Sequence, residues 1–350
     1  MNTRSGIKKV AVTGGSGFLG INLTRFLLSQ NIEVVVLDKA PFDYPEASAI
    51  RFVNGDVRDE ASVRDALSGA DAVVHAAAAL PLHEPKEIES VGVEGTATVG
   101  RVASELGLKR FVHISSTAVY GIPKKHPIEE SDELVGVGPY GRTKIEAERV
   151  AARFRDRLPV TILRPKSFIG PERLGVFALL FDWASTGHNF PIPGKGQNLY
   201  QYLDVQDLSQ AIFLSLTGPE EAVSDVFNVG AKEFGTFKGD FQAVLDQAGF
   251  GKKVIALPAM PAIWLLRGLD RLKLSPLYPW VYETAVKDSF VAIDKAEKSL
   301  GFSPQFSNRD ALLRNFEWYL ENKSDFEGQS GLSHRAPWKQ GALALAKALF

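Results

Sequence analysis

Between an apolar run at 8–12 and an amphipathic stretch at Phe18–Ser29 stands the segment Thr13-Gly14-Gly15-Ser16-Gly17-Phe18-Leu19-Gly20, with Gly14, Gly17 and Gly20 spaced three apart. A chain that leaves a buried strand and enters a helix through this spacing has one use for each glycine. The first permits a tight turn, the second a close backbone approach to a pyrophosphate, and the third close packing of helix on strand. The helix start adds N–H groups and the positive end of its dipole. Gly14, Gly17, Phe18, Leu19 and Gly20 are therefore the expected dinucleotide contacts.

The rest of the first half repeats the alternation. Runs at 33–37, 50–54, Ala72–His75, 110–115 and 160–163 read as buried strands, separated by helical patterns at Glu60–Leu67, 87–106 and 140–154. Strict alternation of strand and helix implies a parallel sheet covered on both faces, an α/β Rossmann-type doubly wound fold. With 350 residues, 45% of them hydrophobic, the chain exceeds the usual size of one domain. After Arg164-Pro165 the loops lengthen and gain proline and glycine, while 225–229 reads as one more strand and 204–216 as a helix packing back on the sheet. The expected organisation is a cofactor domain at 1–165, joined by 204–230. A smaller C-terminal substrate lobe at 166–203 and 231–325 closes over the sheet's carboxyl edge, and a tail follows at 326–350.

Forty basic against 41 acidic side chains leave a net charge of -1, so no global field points to nucleic acid. Cysteine is absent, which excludes disulfides, thiolate nucleophiles and cysteine-ligated metals, and is compatible with the reducing cytoplasm. His75, His83, His113, His126 and His188 show no metal-ligand spacing, and no metal is expected. Residues 1–9 are short and polar and do not read as a signal peptide. The most apolar later stretch, 254–266, has 13 residues and contains Pro258 and Pro261, whereas a membrane span needs about 20 apolar residues.

Tyr140-Gly-Arg-Thr-Lys144 carries the chemistry. Residues four apart share one helix face, so phenol and ammonium can enter one pocket, where the cation favours the phenolate. That suits a proton carrier for alcohol and ketone chemistry. Ser115-Ser116-Thr117-Ala118-Val119-Tyr120-Gly121 follows a strand at the sheet edge where ligands collect, and a hydroxyl there can hold the substrate oxygen. Asp38 ends the second strand, 18 residues after Gly20, placed to accept from ribose hydroxyls and to repel a 2′-phosphate. NAD(H) is thus preferred over NADP(H), with Lys39 as an opposing charge. Asp56-Val57 either flanks the adenine or, for Asp56, caps the next helix.

These segments resemble the extended short-chain dehydrogenase/reductases, which include NAD-dependent sugar epimerases and dehydratases and the 3β-hydroxysteroid dehydrogenase group. The resemblance covers roughly residues 8–320 and adds 71–78, Arg164-Pro165 and Gly170-Pro171 to the motifs above. It implies Ser116 as the catalytic hydroxyl, three positions before Val119. Tyr140 becomes the acid/base and Lys144 the group that binds the nicotinamide ribose and tunes the phenol. It further implies that Ala76, Ala77 and Ala78 line the pyrophosphate and nicotinamide side, that Pro165 contacts the carboxamide, and that the chain pairs as a homodimer through the helix of Tyr140.

Three departures narrow the substrate. Dehydratases carry Asp-Glu where Thr117-Ala118 stand, so dehydration is not expected. Nucleotide-sugar members clamp the diphosphate with arginines, whereas Tyr200 takes one such place and 282–294 contains no arginine, leaving Arg173, or Arg164, as substitutes. Gly92 stands where the family commonly has asparagine. The apolar stretch 254–266, continued by Leu269, Leu272, Leu274, Leu277, Tyr278 and Trp280, either lines a pocket for a lipophilic, steroid-like substrate or fills the lobe's core. Arg267, Arg271 and Lys273 add attraction to an anionic membrane surface. The tail, with Trp338, Leu343, Leu345, Leu349 and Phe350, is expected to dock on the body, on a partner subunit, or on a membrane surface, in that order.

Overall fold

The computed structural model describes residues 6–272, 277, 282, 284–326, 346, 347, 349 and 350, with Asp270 by its backbone alone. Lys273, Leu274, Tyr278, Trp280, Trp338, Leu343 and Leu345 lie outside the described residues.

The strands are β1 (Lys9–Thr13), β2 (Glu33–Asp38), β3 (Arg51–Asn54), β4 (Ala72–His75), β5 (Arg110–Ile114), β6 (Val160–Pro165), β7 (Phe168–Ile169), β8 (Phe190–Pro193), β9 (Leu203–Asp204), β10 (Val226–Val229) and β11 (Val254–Leu257). Seven of them form one parallel sheet in the order β10-β6-β5-β4-β1-β2-β3. Every residue of β4, β5 and β6 is buried, because helices cover both faces and leave no side to solvent. β1 pairs with β2 on one side and β4 on the other, so the chain reverses its winding beside β1, where such sheets open a crevice at their carboxyl ends.

The helices are α1 (Phe18–Ser29), α2 (Glu60–Leu67), α3 (Pro85–Glu89), α4 (Gly95–Glu105), α5 (Gly138–Ala152), α6 (Phe177–Ser185), α7 (Val205–Thr217), α8 (Glu220–Val223), α9 (Phe237–Gln247), α10 (Ala259–Arg271), α11 (Asp294–Leu300) and α12 (Asn308–Asn322). The single helix expected at 87–106 is broken: a π-helical turn at Ser90–Glu94 joins α3 to α4. Two glycines allow the break to sit tightly. A Cβ on Gly92 would lie 2.4 Å from Thr143 Cγ2, and one on Gly95 2.7 Å from Val57 Cγ2.

Two compact units emerge. The first comprises the described parts of Met1–Ser167, Val205–Gly230 and Val291–Pro304. α11, which the sequence reading placed in the second lobe, packs on β10 here, and Lys295 reaches Asp225 at 2.7 Å. The second comprises the described parts of Phe168–Asp204, Ala231–Phe290 and Gln305–Phe350. It has its own two-stranded pairs, β7 with β9 and β8 with β11, and its own aromatic core, in which Phe181 meets Phe316 and Tyr319. Asn189 Nδ2 donates to the Phe350 carbonyl at 2.9 Å, and Trp183 stacks near the Phe350 ring, so the described end of the tail docks on this unit.

The apolar stretch at 254–266 divides. Val254 and Ile263 turn inward, but Met260, Trp264 and Leu265 are 58%, 66% and 64% exposed. The outer side of α10 therefore neither fills a core nor lines an interior pocket, contrary to both expectations.

Candidate active site

The glycine segment makes the turn its spacing predicts. Gly14 adopts φ +72° at the end of β1, and a Cβ there would fall 2.8 Å from the Ala77 Cα, so only glycine fits against the chain leaving β4. That contact sets Ala76, Ala77 and Ala78 beside the turn. Ala76 N–H donates to the Thr13 carbonyl at 3.2 Å and Ala77 N–H to Thr13 Oγ1 at 3.3 Å. A Cβ on Gly20 would stand 2.3 Å from Gly15 Cα, which explains why α1 begins so close to the loop. Gly17 precedes α1 and no side chain caps that helix start; Phe18 and Leu19 have buried side chains, so they offer only backbone outward.

Asp38 stands at this loop. Its carboxylate accepts from Ser16 N–H at 3.0 Å and Ala40 N–H at 2.9 Å. Lys39 turns elsewhere, pairing with Asp56 at 3.4 Å and Glu87 at 3.5 Å. Asp56 accepts from the Nε–Nη2 edge of the Arg58 guanidinium, which lowers its pKa to about 2, while α2 is capped by Asp59 instead. The capping alternative for Asp56 is thus corrected. Val57 is buried beneath Gly95.

On α5, Tyr140 and Lys144 share one face, with the ammonium 5.8 Å from the centre of the phenol ring. Lys144 is 7% exposed and donates to the Ile114 carbonyl, the last residue of β5, at 2.9 Å. Burial lowers its pKa to about 8, against the opposing pull of Glu148. Ser116 follows two residues after Ile114. Its hydroxyl oxygen accepts from Ala118 N–H at 3.1 Å, which leaves its proton to donate. The start of α5 rests on this turn: a Cβ on Gly141 would be 2.9 Å from the Ala118 carbonyl oxygen. Absence of a side chain next to Tyr140 therefore brings its helical turn against the Ser116 turn. Pro165 ends β6 beside them, buried and paired with Val229.

The second nearby tyrosine has no freedom to act. Tyr120 donates to Asn228 Oδ1 at 2.7 Å, accepts from Arg164 at 2.8 Å, and burial pushes its phenol up to about 12.

The NAD dependent epimerase/dehydratase family model matches residues 10–230. The chain belongs to that family. Uncharacterized protein y4nG of Sinorhizobium fredii is 36% identical over 344 residues, covering 97% of this chain and 85% of the relative. The 3 beta-hydroxysteroid dehydrogenase/Delta 5-->4-isomerase of Mycobacterium tuberculosis is 27% identical over 344 residues, covering 89% of this chain and 90% of that one. Among solved structures, epimerase Mth375 of Methanothermobacter thermautotrophicus superposes with a TM-score of 0.77 at 25% identity, covering 93% of this chain and 96% of the other.

As a member of an NAD-dependent family, this enzyme needs a dinucleotide cradle, and its residues fit one. Gly14 and Gly20 occupy places that a Cβ would fill, and the Asp38 carboxylate stands beside the turn that would carry the pyrophosphate.

Glu148 escaped the sequence reading, as did the partners that hold Arg164 and His75. Glu148, one turn beyond Lys144, accepts from Ser115 Oγ and pairs with Arg164, whose Nη2 lies 2.6 Å away. Arg164 is thus committed to the protein interior and is no substitute for a phosphate clamp. Arg173 is also buried, with its guanidinium carbon 5.7 Å from the Phe168 ring and 5.8 Å from the Phe177 ring. The i, i+4 spacing of Glu148 to Lys144 was the available signal. His75 links β1 to α4: Thr13 Oγ1 meets its Nδ1 at 2.7 Å, and its Nε2 meets Thr96 Oγ1 at 3.1 Å. Because Thr96 donates its own proton to the Gly92 carbonyl, the network assigns the hydrogen of His75 to Nε2. Burial lowers the His75 pKa to about 3, so the ring stays neutral.

Proposed function

We propose that this enzyme oxidises a secondary alcohol carbon, reversibly, with Ser116, Tyr140 and Lys144 as its catalytic residues. The arrangement that carries the reading is the Tyr140 turn of α5 seated on the Ser116 turn, with the buried Lys144 beneath it. NAD, when bound, supplies the hydride acceptor. Ser116 donates a hydrogen bond to the substrate oxygen while Tyr140 takes its proton. Lys144 stabilises the phenolate form of Tyr140, which accepts this proton and becomes the neutral phenol, and its donation to Ile114 fixes the ammonium in place. Gly14, Gly17, Phe18, Leu19, Gly20, Asp38, Asp56, Val57, Ala76, Ala77, Ala78 and Pro165 are proposed to line the cofactor, with Tyr140 and Lys144 at its nicotinamide end.

A lipophilic secondary alcohol is the proposed substrate. Tyr200, where nucleotide-sugar members place a phosphate-binding arginine, is buried among Tyr202 and Phe237, and Arg164 is neutralised by Glu148. The similarity to a hydroxysteroid dehydrogenase supports the same reading. Thr117-Ala118 support the absence of water elimination. The likeness to epimerase Mth375 and to a UDP-glucose 4-epimerase of Lactobacillus helveticus favours a second reading, a nucleotide-sugar 4-epimerase that re-reduces a transient ketone on its other face. Purified enzyme incubated with NAD and a steroid or other lipophilic alcohol is expected to form NADH in proportion to ketone. Turnover of a UDP-sugar to its C4 epimer with no net NADH would select the epimerase instead.

A cytoplasmic location, supported by the lack of cysteine, and a homodimer through α5 complete the proposal. Sedimentation of the purified chain tests the second.

A further inference from the structure

No described helix is long and apolar enough to cross a membrane, but α10 carries an exposed apolar side. α10 seats one side on β8 through the same unit and buries Ile263. Its other side presents Met260, Trp264 and Leu265, followed by Leu272 just past the helix end at 69% exposure. At 100° per residue these four fall within one arc, with Arg271, Gly268 and Pro261 between them, so the large apolar groups share one side of the helix. Scattered exposed leucines need no explanation, but a stripe of this kind on a 13-residue helix, about 20 Å long, does.

The charges identify the occupant. Arg267 is exposed at one border of the stripe and Arg271 just inside that border beside Met260, against a single acid in the helix, Asp270. The chain as a whole has a net charge of -1, so this cationic border is local and is not the edge of a general basic field. Trp264 adds an indole, an apolar body with one N–H, which suits the boundary between acyl chains and headgroups. Apolar stripe, boundary indole and flanking guanidiniums match the chemistry of an anionic lipid surface.

We propose that α10 is an in-plane docking helix for anionic membranes, holding the second unit of this enzyme at the lipid surface. Such docking stands whatever alcohol the active site takes.

Flotation of the full-length protein with phosphatidylglycerol-rich vesicles tests it. The protein is expected to float with these vesicles, less with phosphatidylcholine alone, and less at high salt. Trp264→Glu with Leu265→Glu, both at exposed positions, should reduce binding at least about tenfold, and Arg271→Glu should reduce it by a smaller factor. Unchanged NAD binding in each variant shows that the fold survives. Wild-type protein left in the aqueous layer overturns the proposal, as does undiminished flotation of the double variant. So does a double variant that instead converts a two-copy species into a single copy in sedimentation, which would make a second chain the occupant.

Discussion

The ammonium of Lys144 reaches the Ile114 carbonyl at 2.9 Å, tying the second turn of α5 to the end of β5 just before Ser116. One hydrogen bond therefore fixes both the proposed acid/base helix and the strand that delivers the hydroxyl. Its donor is a buried cation whose pKa is lowered to about 8.

That burial has a pH signature. Between about 8 and the ordinary value of 10.5, the unfolded lysine binds more protons than the folded one, so this group's contribution to stability rises with pH across that window. Below about 8 its full desolvation cost is present. Lys144→Met should then be more stable than wild type at pH 7, of the order of 2 kcal/mol once the lost hydrogen bond is set against the relieved desolvation, and inactive. The advantage should shrink toward pH 10.5 in urea titrations; a gain that is flat with pH counts against the assignment.

Tyr140→Phe removes the proposed proton carrier without changing packing. Turnover should drop about 10²–10⁴-fold, with NAD binding retained in a fluorescence titration. Near-wild-type turnover would falsify the role of the phenol.

Arg164 and Glu148 form a buried pair, with side chains 5% and 6% exposed. Arg164→Leu leaves a carboxylate uncompensated beside Ser115 and should cost about 3–5 kcal/mol of stability. Arg164→Leu combined with Glu148→Leu should cost less than the single change. If the two losses simply add in chemical denaturation, the pair is not coupled.

Gly92 and Thr143 meet where α3 passes into α4. Gly92→Ala should destabilise the protein by about 1–3 kcal/mol, because its Cβ would fall 2.4 Å from Thr143 Cγ2. Thr143→Ser deletes that methyl and should recover most of the loss. No recovery in the double variant would place the strain elsewhere.

The sheet was legible because most of its strands centre on a short apolar run bounded by loop residues, as at Val34–Leu37 and Ala72–Val74. α1 and α2 fall where helical spacing put them, at Phe18–Ser29 and Glu60–Leu67. What periodicity missed is the π-turn at Ser90–Glu94, since the apolar spacing continues through it and only Gly92 and Gly95 mark the break. The proposed site was legible where short motifs fix geometry, as at Gly14 and at Tyr140 with Lys144. Its supporting network was not, because Glu148, Arg164, Tyr120 and Asn228 come from separate elements that no local spacing connects. The outer face of α10 was read as interior because composition records how apolar a segment is, without recording which way each side chain turns.

The aromatic cluster around Phe181 joins α6 to α12 in the second unit, whose strand pairs, among the described residues, share no hydrogen-bonded ladder with the seven-stranded sheet. Substitutions there can accumulate without disturbing the register that aligns the glycine turn with β4 and β5. Selection can thus remodel the proposed substrate lobe while the proposed proton-handling residues of the first unit are inherited intact.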